Sequence, residues 1–175
     1  PAPGVKETIR IFREAGIRTV MITGDQRLTA EAVARDLGIL GPEDEVLDGR
    51  ELHRLPDEEL AERVTRVVAF SRVSPEDKLK IVTAYQRQGE IVAMLGDGVN
   101  DAAALKKADV GVAMGIAGTD VAKEASAIVL QDDRFPTIGA AVEEGRVVFD
   151  NIRKFVFYLF SCNLAEVLVL LGAAI

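Results

Sequence analysis

Apolar residues near the start of the chain first follow a helical spacing and then form a short continuous run. Val5, Ile9 and Phe12 recur every three or four residues, and Gly16 follows them as a helix terminator. The run Ile17–Ile22 is short and rich in β-branched residues, which is typical of a buried strand. The pattern therefore predicts a helix followed directly by a strand.

A second helix and a polar loop are predicted next. Val33 and Leu37 lie on one helical face, and Gly38 ends the pattern. Residues 39 to 57 are polar and include glycine and proline, so they predict a loop, with a further helix beginning at Pro56.

The middle of the chain predicts a strand and then a helix with a well-defined start. Arg66–Val73 is apolar enough for a strand. In Ser74–Asp77, serine is suited to the N-cap, proline to the first turn, and the acids to the positive end of the helix dipole. Leu79, Val82 and Tyr85 then form a stripe that we expect to face the core.

The rest of the chain continues the alternation and ends in a long helical pattern. The predicted elements are strands at "EIVAML", "VGVAM" and "AIVL", a helix at about Ala102–Lys107, and a helix from Phe135 to Ile175. Apolar strands that alternate with helices predict an α/β fold, a Rossmann-like parallel sheet with helices on both faces. In such sheets, binding sites form beyond the carboxyl ends of the strands.

Composition narrows the classes of function. The chain has 175 residues, enough for a domain with a core, and its net charge of −7 argues against a nucleic-acid partner. Cys162 is the single cysteine, so an internal disulfide is excluded. Because the chain begins at Pro1 rather than at methionine, we expect it to be a piece of a longer protein.

The C-terminal run has the composition of a membrane helix. From Phe155 to Ile175 the sequence contains one charged residue, Glu166. A membrane-spanning helix needs about 20 mostly apolar residues, and this run reaches that length. Arg153 and Lys154 precede the run, as expected for a cytoplasmic flank. The alternative is a buried amphipathic helix of a soluble protein.

Polar residues follow the predicted strand "EIVAML" at once. Gly96 and Gly98 allow a tight turn around Asp97, whose carboxylate suits Mg²⁺. Asn100 offers an amide donor and acceptor, and Asp101 either supports the metal site or caps the next helix. The alternative is a turn in which these side chains satisfy only backbone groups.

Two other predicted strands end in groups that suit phosphate. Thr23 and Gly24 supply a hydroxyl and a backbone N–H, although both are also ordinary helix-capping chemistry. Lys78 lies in the first turn of its helix, where a cation opposes the dipole, so we expect an anionic neighbour unless the lysine is simply solvated. Together these groups predict phosphoryl transfer by positioning and charge neutralisation. No strand before Gly16 offers an aspartate as a covalent nucleophile.

Several motifs resemble one family. "MITGD", "RVSPEDKLKIV", "GDGVNDAAALKKADVGVAMG" and "GTDVAKEAS" resemble the phosphorylation domain of P-type ATPases, within the haloacid dehalogenase-like superfamily. "EEGRVVFDNIRKFVFYLFSCNLAEVLVLL" resembles the stalk and fifth transmembrane helix of these pumps. The resemblance implies a haloacid dehalogenase-like domain over residues 1–150 and a stalk with the start of a transmembrane helix over 151–175. The "DKTGT" motif, the nucleotide-binding domain and the actuator domain lie outside the sequence.

The resemblance also implies roles for the residues at the strand ends. Asp97 would ligate the catalytic Mg²⁺, and Lys78 would neutralise charge on the phosphoryl group. The other residues implied in phosphoryl binding or site organisation are Thr23, Gly24, Asp25, Asn100 and Asp101.

The apolar run carries a candidate site for a transported ion. Asn163 and Glu166 are three residues apart, hence on one helical face, and their oxygens suit a hard cation such as Ca²⁺. In the resemblance they look like cation ligands of the calcium-pump branch, although sodium–potassium pumps carry a similar pair. The alternative is a glutamate that snorkels or pairs within a helix bundle.

We therefore expect a piece of an ATP-driven cation pump, with ATP as the phosphoryl donor and Mg²⁺ as cofactor. Its partners would be the remaining pump domains, the transported cation and the lipid bilayer, with residues 1–150 on the cytoplasmic side. The isolated chain is predicted to be inactive. The alternatives are a soluble haloacid dehalogenase-like phosphatase and a truncated, non-catalytic module that binds Mg²⁺ or phosphate.

Overall fold

The computed structural model describes residues 2 to 173, and the chain divides into a unit that extends to Thr137 and a unit from Ile138 onward. The strands are β1 (Met21–Ile22), β2 (Glu45–Asp48), β3 (Val67–Ser71), β4 (Ala93–Gly96), β5 (Val110–Met114) and β6 (Ile128–Leu130). The helices are α1 (Val5–Glu14), α2 (Arg27–Asp36), α3 (Gly49–Arg54), α4 (Asp57–Arg63), α5 (Pro75–Arg87), α6 (Ala102–Lys107), α7 (Asp120–Glu124) and α8 (Phe135–Ala173), with a 3₁₀ turn at Val99–Asp101.

The strands of the first unit form two parallel sheets, in the orders β1-β3-β2 and β4-β5-β6. The predicted α/β alternation and parallel pairing are therefore confirmed. Within the described residues, β1 and β4 each pair with a single neighbour and so leave one edge open. Ile22 and Val92 pack against two core clusters, one beside each sheet, so the sheets share a packed boundary.

The core is centred on the strand β3, whose five residues are all buried. Phe70 and Val67 of this strand pack with Leu47 and Tyr85 in one cluster, and Ala69 belongs to a second cluster on α2. A strand buried on both faces needs a continuous apolar sequence, which explains why "VVAF" is recognisable without alternation.

The start of α5 follows the prediction closely. The Ser74 hydroxyl accepts from the Asp77 N–H, and the Asp77 carboxylate accepts from the Ser74 N–H, so the two residues form a capping box. Pro75 occupies the first helical position. This arrangement fixes the direction in which α5 leaves the sheet, and with it the position of Lys78.

Several predictions about the elements were wrong. The strand predicted over Ile17–Ile22 is paired only at β1, and its two residues are half-buried because β1 is an edge strand. The loop predicted over residues 39 to 57 contains β2 and α3. β2 pairs with β3 and α3 packs against α5, so both elements depend on tertiary contacts rather than on a local sequence pattern. Leu79 is 38% exposed, whereas Ile81 is buried on the inner face of α5.

The second unit is the continuation of α8. This helix is 39 residues long, has a mean hydropathy of 1.9 over its most apolar window, and is long and apolar enough to cross a membrane. Cys162 is exposed on it. The predicted helix to Ile175 extends two residues beyond the described part of the chain, and the predicted domain boundary between residues 150 and 151 stays a prediction.

Candidate functional site

The candidate site lies at the carboxyl ends of the two sheets. The loop after β4 carries Asp97, Asn100 and Asp101, the loop after β1 carries Thr23, and Lys78 lies in the first turn of α5. In parallel sheets the carboxyl ends of all strands lie on the same side, which is where ligands commonly bind.

Asp101 is the buried centre of the loop after β4. It is 5% exposed, and one carboxylate oxygen, Oδ2, accepts from the N–H groups of Asp97 and Gly98 over 3.3 and 3.2 Å. The other oxygen, Oδ1, accepts from Lys78 Nζ over 2.5 Å. Asp101 therefore connects the α5 lysine to the backbone that carries Asp97.

The tight approach of this loop to its own aspartate requires glycine. A Cβ atom on Gly96 would lie 2.6 Å from Asp101 Cβ, closer than two such atoms can approach. Any side chain at Gly96 would displace Asp101 and break its bonds to the loop. The glycine before Asp97 is thus required by packing as well as by turn geometry.

The anionic neighbour expected for Lys78 is Asp101. The Lys78 side chain is 25% exposed and that of Asp101 is 7% exposed, so the pair is partly shielded from water. Shielding strengthens the attraction, and removing either partner would leave a costly unpaired charge. Lys78 keeps an exposed portion that can face a second anion.

The loop after β1 is bonded to the segment that leads into α5. The Val73 N–H donates to the Thr23 carbonyl over 3.1 Å, and the Arg72 N–H donates to the Asp25 carbonyl over 2.9 Å. The Thr23 hydroxyl donates to the Asp25 carboxylate over 2.9 Å. Within the described residues, no group accepts from the N–H of exposed Gly24, which leaves this donor available to a ligand.

Not every predicted residue is brought into direct contact. Lys78, Asp101 and the Asp97 backbone form a hydrogen-bonded group, whereas Thr23 is connected to it through the backbone that precedes α5. The exposed Asn100 side chain makes no hydrogen bond within residues 2 to 173. Asp101 does not cap α6 with its side chain, so that alternative role is not supported.

The residues around Asp97 fit Mg²⁺ rather than a fully protein-ligated metal. The Asp97 carboxylate is exposed and has no hydrogen bond or ion pair within the described residues. In the same part of the chain, no three His, Cys, Asp or Glu side chains are grouped to hold a metal ion. Mg²⁺ commonly binds through one or two carboxylates and retains several waters, so a single free carboxylate suits it.

Two residues that support the loops after β4 and β5 were not predicted from the sequence. The Thr119 N–H donates to the Asp97 carbonyl over 2.8 Å, and the Thr119 hydroxyl caps α7 by accepting from Ala122 N–H. Asp133 accepts from two N–H groups of the loop after β5. The Thr-Asp pair that begins α7 is a recognisable capping signal, whereas the contact of Asp133 is non-local and has no local signal.

The second unit contains the other predicted site residues. Asn163 and Glu166 lie three positions apart on α8 and are exposed on this single helix. A shell of six or more oxygens for Ca²⁺ would need ligands from other segments.

Comparisons with known proteins give consistent findings. A family model for haloacid dehalogenase-like hydrolases matches residues 1–109. The chain is 58% identical to a calcium-transporting ATPase of Bacillus subtilis (strain 168), over 99% of this chain and 19% of that protein. It is 56% identical to P-type sodium-transporting ATPase4 of Toxoplasma gondii, over 97% of this chain and 14% of that protein.

A solved structure is also similar. The catalytic domain of the CPx-ATPase CopB-B matches with a TM-score of 0.60 and 29% identity, over 81% of this chain and 45% of that chain. The chain spans about a fifth or less of the length of these two curated relatives.

Proposed function

Because this chain belongs to the haloacid dehalogenase-like hydrolase family, we propose that it forms part of the phosphorylation domain of a P-type, ATP-driven cation pump. The observation that carries the proposal is the buried Asp101 carboxylate, which binds both the Lys78 ammonium and the backbone of the loop that carries the unpaired Asp97 carboxylate. The high identity to cation-transporting ATPases supports the same proposal.

In this proposal each residue acts on a phosphoryl group. Lys78 places its ammonium next to the phosphoryl oxygens, while Asp101 holds the lysine in position. Gly24 donates its free N–H, Asn100 donates its amide, and the Thr23 hydroxyl turns from Asp25 to a phosphoryl oxygen. Mg²⁺ held by Asp97 supplies additional neutralisation of the phosphoryl charge when it is bound.

The nucleophile of this reaction would come from outside the described residues. β1 and β4 are edge strands, and both Ile22 and Val92 pack at the boundary between the sheets. A further strand pairing with both open edges would unite the sheets and bury their unpaired backbone groups. An aspartate at its carboxyl end would then lie between the Thr23 loop and the Asp97 loop.

The transported cation in this proposal is Ca²⁺, bound in part by Asn163 and Glu166 of α8. Calcium transport is named for one relative and sodium transport for another, so the ion is tested directly. In the full-length pump, Glu166→Gln should abolish Ca²⁺ uptake, because a carboxylate in the membrane is lost as a ligand. Unchanged Ca²⁺ uptake would remove Glu166 from the ion site.

The first unit would lie on the cytoplasmic side.

The proposed chemistry is tested by phosphoenzyme formation from ATP in the full-length protein. Asp97→Asn and Lys78→Ala should each lower the rate by about 100-fold or more, because both act on charge that develops in the transition state. Lys106→Ala, which changes an exposed lysine on α6, is the matched control and should leave the rate unchanged. Equal rates in all variants would contradict the proposal.

The chain by itself should not hydrolyse ATP or phosphate esters, because none of the described residues places an aspartate on a strand between the Thr23 loop and the Asp97 loop. Mg²⁺-dependent turnover of a phosphate ester by the purified chain would favour a phosphatase instead.

A further inference from the structure

The loop between β5 and α7 connects the Asp97 backbone to the residues at which α8 begins. At one end, the Thr119 N–H donates to the Asp97 carbonyl over 2.8 Å. At the other end, the Ile116 and Ala117 N–H groups donate to the two carboxylate oxygens of Asp133, over 2.9 and 2.6 Å. Asp133 lies two residues before α8.

Two glycines hold this loop closely against the sheet. A Cβ atom on Gly118 would lie 2.0 Å from the Met114 carbonyl oxygen, and one on Gly115 would lie 2.6 Å from the Leu130 carbonyl oxygen. Neither position has room for a side chain. The loop is therefore packed tightly against the ends of β5 and β6.

Asp133 adopts an unusual backbone conformation to make these contacts. Its φ of 51° lies in the left-handed region, which aspartate tolerates better than most residues. The pKa of its carboxyl is below the ordinary value, chiefly because the Ile116 N–H favours the charged form, against a desolvation effect that raises it. The carboxylate therefore sits in a small nest of backbone N–H groups, as anions do in other proteins.

We propose that Asp133 is a positioning residue that fixes the β5–α7 loop and, through Thr119, the backbone of Asp97. Loss of the Asp133 carboxylate then reaches the Asp97 loop through two hydrogen-bonded contacts. The inference rests on the proposed function in taking Asp97 as the Mg²⁺ ligand, but the contact itself is tested without that assumption.

Asp132 provides a matched control. It is an adjacent carboxylate, and its hydrogen bonds within the described residues go to Arg134 N–H over 3.1 Å and to the Thr137 hydroxyl over 2.6 Å. Asp132 thus supports the start of α8 without bonding to the β5–α7 loop. Replacing it removes the same charge and tests helix capping alone.

The experiment uses the full chain in detergent micelles and follows exchange of the Thr119 amide by NMR. Asp133→Gly removes the carboxylate but accommodates the positive φ, so it should fold and exchange this amide roughly threefold to tenfold faster. Asp133→Asn keeps an acceptor oxygen and the left-handed backbone, so it should restore part of the protection. Asp132→Ala should leave Thr119 exchange unchanged.

A second readout measures binding of Mn²⁺, as a paramagnetic substitute for Mg²⁺, to the same proteins. Asp133→Gly should weaken Mn²⁺ binding at Asp97 roughly threefold to tenfold, and Asp132→Ala should not. Unchanged Thr119 exchange in Asp133→Gly would overturn the positioning role whatever the chain's function. Faster exchange with unchanged Mn²⁺ affinity would overturn the transmission to Asp97. Absence of Mn²⁺ binding in the unaltered chain would instead contradict the proposed function.

Discussion

Two aspartates four residues apart have opposite environments. Asp101 is buried and accepts from a lysine and two backbone N–H groups, whereas Asp97 is exposed and its carboxylate is unpaired within the described residues. The sequence "GDGVND" does not show which of the two carboxylates is buried. The difference depends on Lys78, which is 23 residues away along the chain.

Asp101 and Asp97 should therefore respond differently to loss of charge. Asp101→Asn should lower the free energy of unfolding by about 2–3 kcal/mol, because it leaves the Lys78 ammonium without its partner. Asp97→Asn should change it by less than about 0.5 kcal/mol. Urea denaturation of the chain in detergent measures both. Equal effects would show that the Lys78–Asp101 pair does not stabilise the loop.

At the scale of the elements, helices and strands with a local sequence signal were predictable, whereas elements stabilised mainly by tertiary contacts were not. α5 begins at its predicted cap, and α6, β3 and β5 lie where the pattern predicts them. β2 and α3 were missed because they are short and are stabilised by neighbours. Asp48 caps α3, and Glu51 follows three residues later, so a capping signal was present and was overlooked.

The Ser74 capping box is testable at this scale. Ser74→Ala should lower the free energy of unfolding by about 1 kcal/mol, because the Asp77 N–H loses its acceptor. Ser74→Asp retains an acceptor at the N-cap and should recover most of that loss. Thermal or urea unfolding of the two variants gives the comparison, and an equal loss in both would contradict capping as the cause.

An ion pair between β2 and α4 should make stability depend on pH. A hydrogen bond from Arg63 is the main cause that lowers the pKa of Glu45 below its ordinary value of 4.5. A carboxyl whose pKa is lower in the folded state than in the unfolded state stabilises the fold fully at pH values above its unfolded-state pKa. This contribution is lost as the pH falls through the folded-state pKa.

Glu45→Gln should therefore reduce the free energy of unfolding at pH 7 by about 1 kcal/mol or less, and by progressively less as the pH falls below 4.5. Glu59→Gln, at an exposed position on α4, is the control and should have little effect at either pH. A loss at Glu45 that is independent of pH would indicate a packing effect rather than the ion pair.

For the whole molecule, the polar groups at the strand ends were predictable, but the individual contacts between them were not. The polar groups at the strand ends could be read along the chain, whereas the contact of Lys78 with Asp101 and of Thr119 with Asp97 is made only by folding. The division into two sheets was also not predictable, because hydrophobic runs do not show which strands are neighbours.

The open edges of β1 and β4 predict a difference between this chain and a longer protein that contains it. Hydrogen exchange of peptides that cover β1 and β4 should be slower in the longer protein, because an additional strand pairs with their free backbone groups. Peptides from the central strand β3 should be protected in both proteins. Equal exchange at β1 and β4 would contradict the proposed nucleophile-bearing strand.

The most direct test of a shared pocket is paramagnetic broadening by Mn²⁺ in the unaltered chain. Mn²⁺ bound at Asp97 should broaden the amide signals of Gly24, Asn100 and Lys78, and leave that of Gly16, at the end of α1, sharp. Asp97→Asn should abolish the broadening. Broadening that survives this substitution, or that spares Gly24 and Lys78, would contradict a single pocket formed by the three loops.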